Sequence, residues 1–372
     1  MKKFIILFLT LLATLCFATF FTGCEIINKF ISEEQPEQPI ITVEYFTAQG
    51  EVLTGLTIDG KKLENVVVPE TINGVKITTI GEKAFYDAQK IKTVELPDSI
   101  TSIDKEAFYG CKNMTEIELS SNINYLDEWA FYGCSSLESI EIPAGISEIK
   151  DNTFRECRSL SNVTFPSNIT KIGKKAFEKC IAFTNVHLSA SIEILDDDAF
   201  TNCNGVTAFS VDSDSKYFKA IDGNLYSKDG KTFLYYALAK TAKTFTVPEG
   251  VETLGYASFA NEMELETVNV ASSVKSLGYE CFSACQNLQF VTFGGANSRL
   301  HTIGHRAFFN AVKLFSIEAP ETLRFVGSYA FSYCAKLSKV YSYLSLSDWD
   351  SLSINTPADN SRFTNASIRV YM

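Results

Sequence analysis

The chain has 372 residues, 33 Lys+Arg against 44 Asp+Glu, a net charge of −11 and 46% hydrophobic residues. This excludes a disordered chain and supplies ample apolar material for a core. The acid excess argues against nucleic acid as a partner, because phosphate recognition needs a basic face. An uneven use of aromatic residues, 29 Phe against 3 His and 2 Trp, points to one side chain reused in a repeating frame.

Lys2 and Lys3 precede an apolar run from Phe4 to Phe21 that stops at Thr22-Gly23-Cys24. The pattern predicts an export signal over residues 1–23, and the small residues before Cys24 resemble a bacterial lipobox in which that Cys is acylated. The run is also about long enough to span a bilayer, so an uncleaved anchor is the alternative. Both place the remainder outside the cytoplasm, and removal of 1–23 would leave 31 Lys+Arg against 44 Asp+Glu, a net charge of −13. Residues 24–40, with Glu33, Glu34 and Glu37 around Pro36, read as an acylated Cys and flexible tether. Its maximum reach is on the order of 50 Å.

From there the sequence repeats. Aligned Phe residues fall at 85, 108, 131, 154, 177, 200, 259, 282, 308 and 331, and seven of the nine intervals are 23 residues. One unit, Leu126 to Pro143, reads apolar-Gly/Asp-x-x-Ala-Phe-x-x-Cys-x-x-Leu-x-x-Ile-x-Ile-Pro. Its second half predicts a short strand near Ser139 to Ile142, with Ile140 and Ile142 inward and Glu141 outward. Its Ala-Phe half predicts a turn of helix. Neither half buries its apolar face alone, so the expected fold is a repeat solenoid over 41–341, with short parallel strands on one face and short helical turns on the other. About a dozen strands at roughly 4.8 Å make it on the order of 55–60 Å long.

The 59-residue interval from Phe200 to Phe259 holds a predicted β-hairpin island, about 212–243, turning at Asp229-Gly230. It is expected to replace one Ala-Phe turn and to project from the solenoid. Tyr226, Tyr235 and Tyr236 then form a candidate contact patch, the alternative being that they pack the hairpin onto the solenoid flank. Ile41 to Lys62 is expected to cap one end, and 342–372 the other.

Cys111, Cys134, Cys157, Cys180, Cys203, Cys285 and Cys334 recur three residues after Phe, where Ala88 and Ala311 stand in other units. A site shared by Cys and Ala is a small buried apolar site, which favours a ladder of free thiols. Disulfides are permitted in an exported protein, but stacked neighbours about 4.8 Å apart with parallel Cβ vectors fit that geometry poorly. No Cys pair except Cys281 and Cys285 has zinc-ligand spacing, and no His cluster joins them.

The second half of the unit carries the L-x-x-L-x-L signature of leucine-rich repeats. With Ile172-Gly173-Lys174-Lys175-Ala176-Phe177-Glu178-Lys179-Cys180 as a further instance, the chain resembles the BspA-type leucine-rich repeat family of bacterial surface proteins over roughly 55–341. The resemblance implies a surface or secreted protein, often an adhesin, without known catalytic activity and with no cofactor. Local departures are Ser120 and Ser189 in place of Pro, and Glu262 in place of Cys.

The outward strand residues begin Glu95, Glu118, Glu141, Thr164 and His187, with Glu116 beside them. Stacked carboxylates weaken a sheet. A screened, solvated acidic face is the leading reading, and the hypothesis set against it is a binding face for a cation or a basic partner segment. His187, His301 and His305 are the only histidines, and no phosphate loop, dinucleotide fingerprint or serine-nucleophile motif is present. The reading is a non-catalytic surface protein that binds protein or glycan on a host or bacterial surface, held to the membrane by its lipid anchor. The alternative is an envelope scaffold that organises other exported proteins.

Overall fold

The computed structural model of the chain describes residues 41–42 and 44–370. The predicted signal, Cys24 and the tether lie outside the described residues. Among the described residues no helix is long and apolar enough to cross a membrane.

Each coil contributes two short strands rather than the single one expected. The longer is the predicted one, as in Ser139–Glu141; the shorter lies at the apolar-Gly step, as in Glu148–Ile149. Both stack in parallel with their counterparts one repeat away, Ser139 opposite Asn162 and Glu148 opposite Lys171. Ile140 and Ile149 are buried, and Glu141 is exposed, so the two-residue alternation turns one apolar side chain per strand into the core. The glycine of the shorter strand has a steric reason. A Cβ at Gly304 would lie 2.7 Å from the carbonyl oxygen of Gly278, one coil away.

The Ala-Phe segment is not helical. Left-handed residues recur two before and two after Phe, as in Lys175 (φ 54°) and Lys179 (φ 64°) around Phe177. Two such residues cannot sit in an α-helix, so the segment becomes a pair of tight turns. Its backbone bonds alternate between closing a turn, as the Tyr109 N–H does on the Glu106 carbonyl at 3.0 Å, and running between coils: the Phe108 N–H donates to the Ala130 carbonyl at 2.8 Å, and that of Phe154 to Ala176 at 2.9 Å. The Phe rings stack in consequence. Phe85, Phe108, Phe131, Phe154, Phe177 and Phe200 form one column with centroids 4.8–5.4 Å apart. Phe233, Phe259, Phe282, Phe308, Phe331 and Phe363 form a second, at 4.6–5.2 Å.

The seven repeat cysteines are free and buried, as is Cys281. Each repeat thiol donates to the carbonyl of the Phe one coil back, from Cys111 on Phe85 at 3.0 Å to Cys180 on Phe154 at 3.2 Å. The thiol is thus a weak donor for a buried carbonyl as well as a volume filler. Burial pushes the Cys203 and Cys334 thiols up to about 12 and suppresses the reactive thiolate. In the native chain these eight cysteines are expected to resist Ellman's reagent, and in denaturant without reductant to react fully. Loss of the thiols in denaturant would show disulfides instead.

Glu262 occupies the thiol site of its coil. It is buried, and its carboxylate accepts the N–H groups of Glu264 at 2.9 Å and Leu265 at 2.6 Å. Burial raises its pKa above the ordinary 4.5, and the two N–H bonds oppose the shift. The folded chain therefore holds this proton more tightly than the unfolded one. The associated stability is present below the ordinary value and is lost as pH rises through the folded pKa. Glu262→Gln is expected to gain stability relative to wild type across that window in chemical denaturation; a constant difference between the two proteins would refute this.

The island differs from expectation in one respect. The hairpin Asn224–Ser227 with Thr232–Tyr235 forms and turns at Asp229-Gly230, preceded by an antiparallel strand Phe218–Ile221. It does not project, because Thr232–Tyr235 pairs in parallel with Thr253–Leu254 and so belongs to the solenoid ladder. It does replace one tight Ala-Phe turn, as expected: no left-handed residues stand two before and two after Tyr236, and the Phe200 N–H finds the Tyr235 hydroxyl in place of a carbonyl of the next coil. Tyr236 stands 23 residues before Phe259, and its N–H donates to the Ser258 carbonyl at 2.9 Å, the bond that Phe makes elsewhere. Tyr236 thus keeps one backbone bond of the Phe slot, while the ring that continues the column is Phe233.

Both ends are capped. At one end Ile41–Thr42, Phe46–Gln49 and Val52–Leu56 form an antiparallel meander whose last strand joins the ladder at Thr79–Ile80. At the other, Ser353–Ile354 and Ser367–Val370 extend the two ladders. Phe363, in the short helix Ser361–Thr364, completes the ring column.

Candidate binding surface

The structure brings the predicted strand-face residues together. Glu95, Glu116, Glu118, Glu141, Thr164 and His187 are all exposed on the outer side of the longer strands. Glu118 lies directly opposite Glu95 in the parallel pair Thr93–Glu95 with Glu116–Glu118. The ladder is interrupted at the next step, since Glu116–Glu118 and Ser139–Glu141 belong to separate sheets. A third stacked glutamate would add a like-charge contact, and opening the pair relieves it. The opening leaves a groove of about 530 Å³ lined by Glu116, Glu118, Glu141, Pro143, Thr164 and Phe165. A second interruption, between Asn162–Thr164 and Asn185–Leu188, leaves a smaller groove of about 200 Å³ beside His187.

The charges on this face are unbalanced. Elsewhere carboxylates meet cations: Glu64 with Lys92 at 2.8 Å, Asp127 with Lys150 at 3.1 Å, Glu156 with Lys179 at 2.8 Å. Lys150 and hydrogen bonding hold the Asp127 carboxyl below its ordinary value against the opposing effect of burial, the largest single influence. Lys179 does the same for Glu156. Among the described residues, Glu95, Glu116, Glu118 and Glu141 have no such salt bridge. Their carboxylates do not converge, and no three acidic, His or Cys side chains among the described residues are placed to hold a metal ion. His187 is already engaged, with Nε2 3.1 Å from Asp212 Oδ1 and Nδ1 3.0 Å from Ser210 Oγ.

The tyrosine patch is corrected. Tyr226, Tyr235 and Tyr236 are 1%, 4% and 2% exposed and face the core. Tyr226 packs edge-on to Phe233, and Tyr236 stacks on Phe259 at 5.2 Å. The frame itself carried the signal, because counting one repeat back from Phe259 lands on Tyr236, and a residue in the Phe slot points inward. His301 and His305 are exposed and Ser328 N–H donates to His305 Nδ1 at 3.0 Å.

The profile of the BspA type Leucine rich repeat region matches residues 78–207 and 231–351 in six copies. A leucine rich cell surface protein from Faecalibacterium prausnitzii A2-165 superposes with a TM-score of 0.63 at 22% identity, covering 86% of this chain and 98% of its own. The pneumococcal vaccine antigen PcpA superposes with a TM-score of 0.69 at 18% identity, covering 90% of this chain and 99% of its own. At these identities the two structures show a shared fold. No curated protein matches the sequence. With the profile spanning more than half its length, the chain belongs to the BspA-type leucine-rich repeat family.

Proposed function

We propose that the protein is a non-catalytic surface binding protein, displayed through a lipid on Cys24, that uses the longer-strand face to dock a basic segment of a host or bacterial protein. The observation that carries this reading is the set of glutamates without a salt bridge, Glu95, Glu116, Glu118 and Glu141, around the groove where the ladder opens. Four acids on one face without a cation are complementary to a positive partner. Repeat proteins bind along such extended faces.

The test is binding of fluorescein-labelled poly-lysine to the full chain, followed by anisotropy, with Glu116→Gln/Glu118→Gln/Glu141→Gln alongside. A loss of about tenfold or more in affinity in the triple variant supports the reading. Equal binding by the two proteins overturns it. Display is tested separately: a fatty-acid probe should label wild type and not Cys24→Ala, and label retained in the variant would remove the lipid anchor from the proposal.

A further inference from the structure

A third groove, of about 1000 Å³, lies toward the C-terminal end of the solenoid. It is lined by Tyr279, Phe309, Tyr329 and Tyr333 and by Arg306 and Arg362, between the tight turns of the last coils and the Ser361–Thr364 helix. The rings are open: Tyr279, Tyr329 and Tyr333 are 40%, 46% and 68% exposed. Tyr333 meets Phe309 edge-on at 5.2 Å, and the Arg306 guanidinium sits 4.6 Å over the Phe309 ring.

Two features set this end apart. Residues 41–298 carry 22 Lys+Arg against 35 Asp+Glu, a net charge of −13, whereas 299–372 carry 8 against 5, a net charge of +3. Five of the seven arginines fall in the second segment. Arg306 is braced by Glu280 at 3.0 Å, while Arg362 has no carboxylate within salt-bridge distance among the described residues. Asp359 is the one carboxylate on the lining. Second, Tyr329 (φ 58°) and Tyr333 (φ 62°) occupy the left-handed slots that most other coils fill with Lys, Glu, Asn, Asp or Gly. Bulky side chains are unfavourable there, so the fold does not call for tyrosine at either site.

We propose that this groove docks an acidic polypeptide segment bearing aromatic residues, as a site separate from the acidic strand face. Tyrosine and arginine are the residues that concentrate binding energy in protein interfaces, and arginine matches carboxylate in a planar, two-bond geometry. The acidic body repels such a segment along most of its length and the positive end receives it, so the field of the protein steers the partner to the groove.

The probe is a fluorescein-labelled random copolymer of glutamate and tyrosine, titrated with the full chain by anisotropy. Saturable micromolar binding is expected, weakened about tenfold or more by Arg362→Gln with Tyr333→Gly, and by raising salt from about 0.05 to about 0.5 M. Glycine suits the left-handed slot of Tyr333, so the variant keeps its backbone, and native thiol protection checks the fold. Lys174→Gln, outside the groove, should bind as wild type does. Wild-type affinity in the groove variant overturns the proposal, as does the absence of saturable binding. Equal binding of polygalacturonate with displacement of the copolymer overturns it in favour of an acidic glycan.

Discussion

Asn360→Ala is expected to lower the stability of the folded chain by about 3 kcal/mol and to release the last coil first. The Asn360 side chain is fully buried and makes three hydrogen bonds. Its Oδ1 accepts the Phe331 N–H at 3.0 Å, and its Nδ2 donates to the carbonyls of Gly327 at 2.9 Å and Asn355 at 2.8 Å. In the other coils, that of Phe200 excepted, the repeat Phe N–H finds a backbone carbonyl of the following coil, as Phe308 finds Ala330. At Phe331 one amide side chain does the work of that carbonyl. Truncation leaves buried groups without partners, and each costs roughly 1–3 kcal/mol. Urea unfolding gives the magnitude, and hydrogen exchange at the Phe331 amide gives the location. A loss below about 1 kcal/mol, with that amide still protected, would show that the cap does not depend on Asn360.

Tyr235→Phe is expected to cost about 2 kcal/mol although it removes a single atom from a well-packed ring. Coil 200 is followed by the long insertion, so the carbonyl that would receive the Phe200 N–H is displaced. The Tyr235 hydroxyl stands in, accepting from Phe200 N–H at 3.3 Å and donating to the Asp197 carbonyl at 2.7 Å. The ring keeps its stack on Phe209 at 5.6 Å in the variant, which isolates the hydroxyl. This position also joins the two core clusters, one ending around Tyr235 and Ala237 and the other beginning at Tyr226 and Phe233. In a solenoid each coil contacts mainly its neighbours, so weakening the junction should separate unfolding of the two halves. The expected readout is a denaturation curve with two steps and exchange at the Phe200 amide. A single transition within about 0.5 kcal/mol of wild type would sink the idea.

Tyr235 and Asn360 solve the same problem by different chemistry. The turn ladder is a chain of N–H donors, each satisfied by the next coil, and wherever that register is broken a buried donor is orphaned. A side chain that can accept is then required, and the two sites supply a phenol and an amide. Neither is visible as a motif, because each is defined by the displaced backbone it serves.

The sequence by itself determined the repeat length, the side of each strand that faces the core, the Phe column and the buried thiols. These follow from periodicity: a 23-residue spacing stacks like on like, and alternating apolar residues within a strand have one core to enter. It also located the acidic row from Glu95 to Glu141, since outward strand positions are read by the same alternation. What the tertiary structure decided lies where neighbouring coils depart from translation. The tight turns replaced the expected helix because left-handed residues bracket each Phe, so that alternate N–H groups close a turn and reach the next coil. The tyrosines of the island went inside because Thr232–Tyr235 joins the ladder and Tyr236 keeps the backbone bond to the next coil that Phe makes elsewhere. The groove at Glu118 and Glu141 exists because two strands that are adjacent in sequence order do not pair. The aromatic and arginine groove at the far end draws residues from three coils and the cap, a juxtaposition that no single repeat contains.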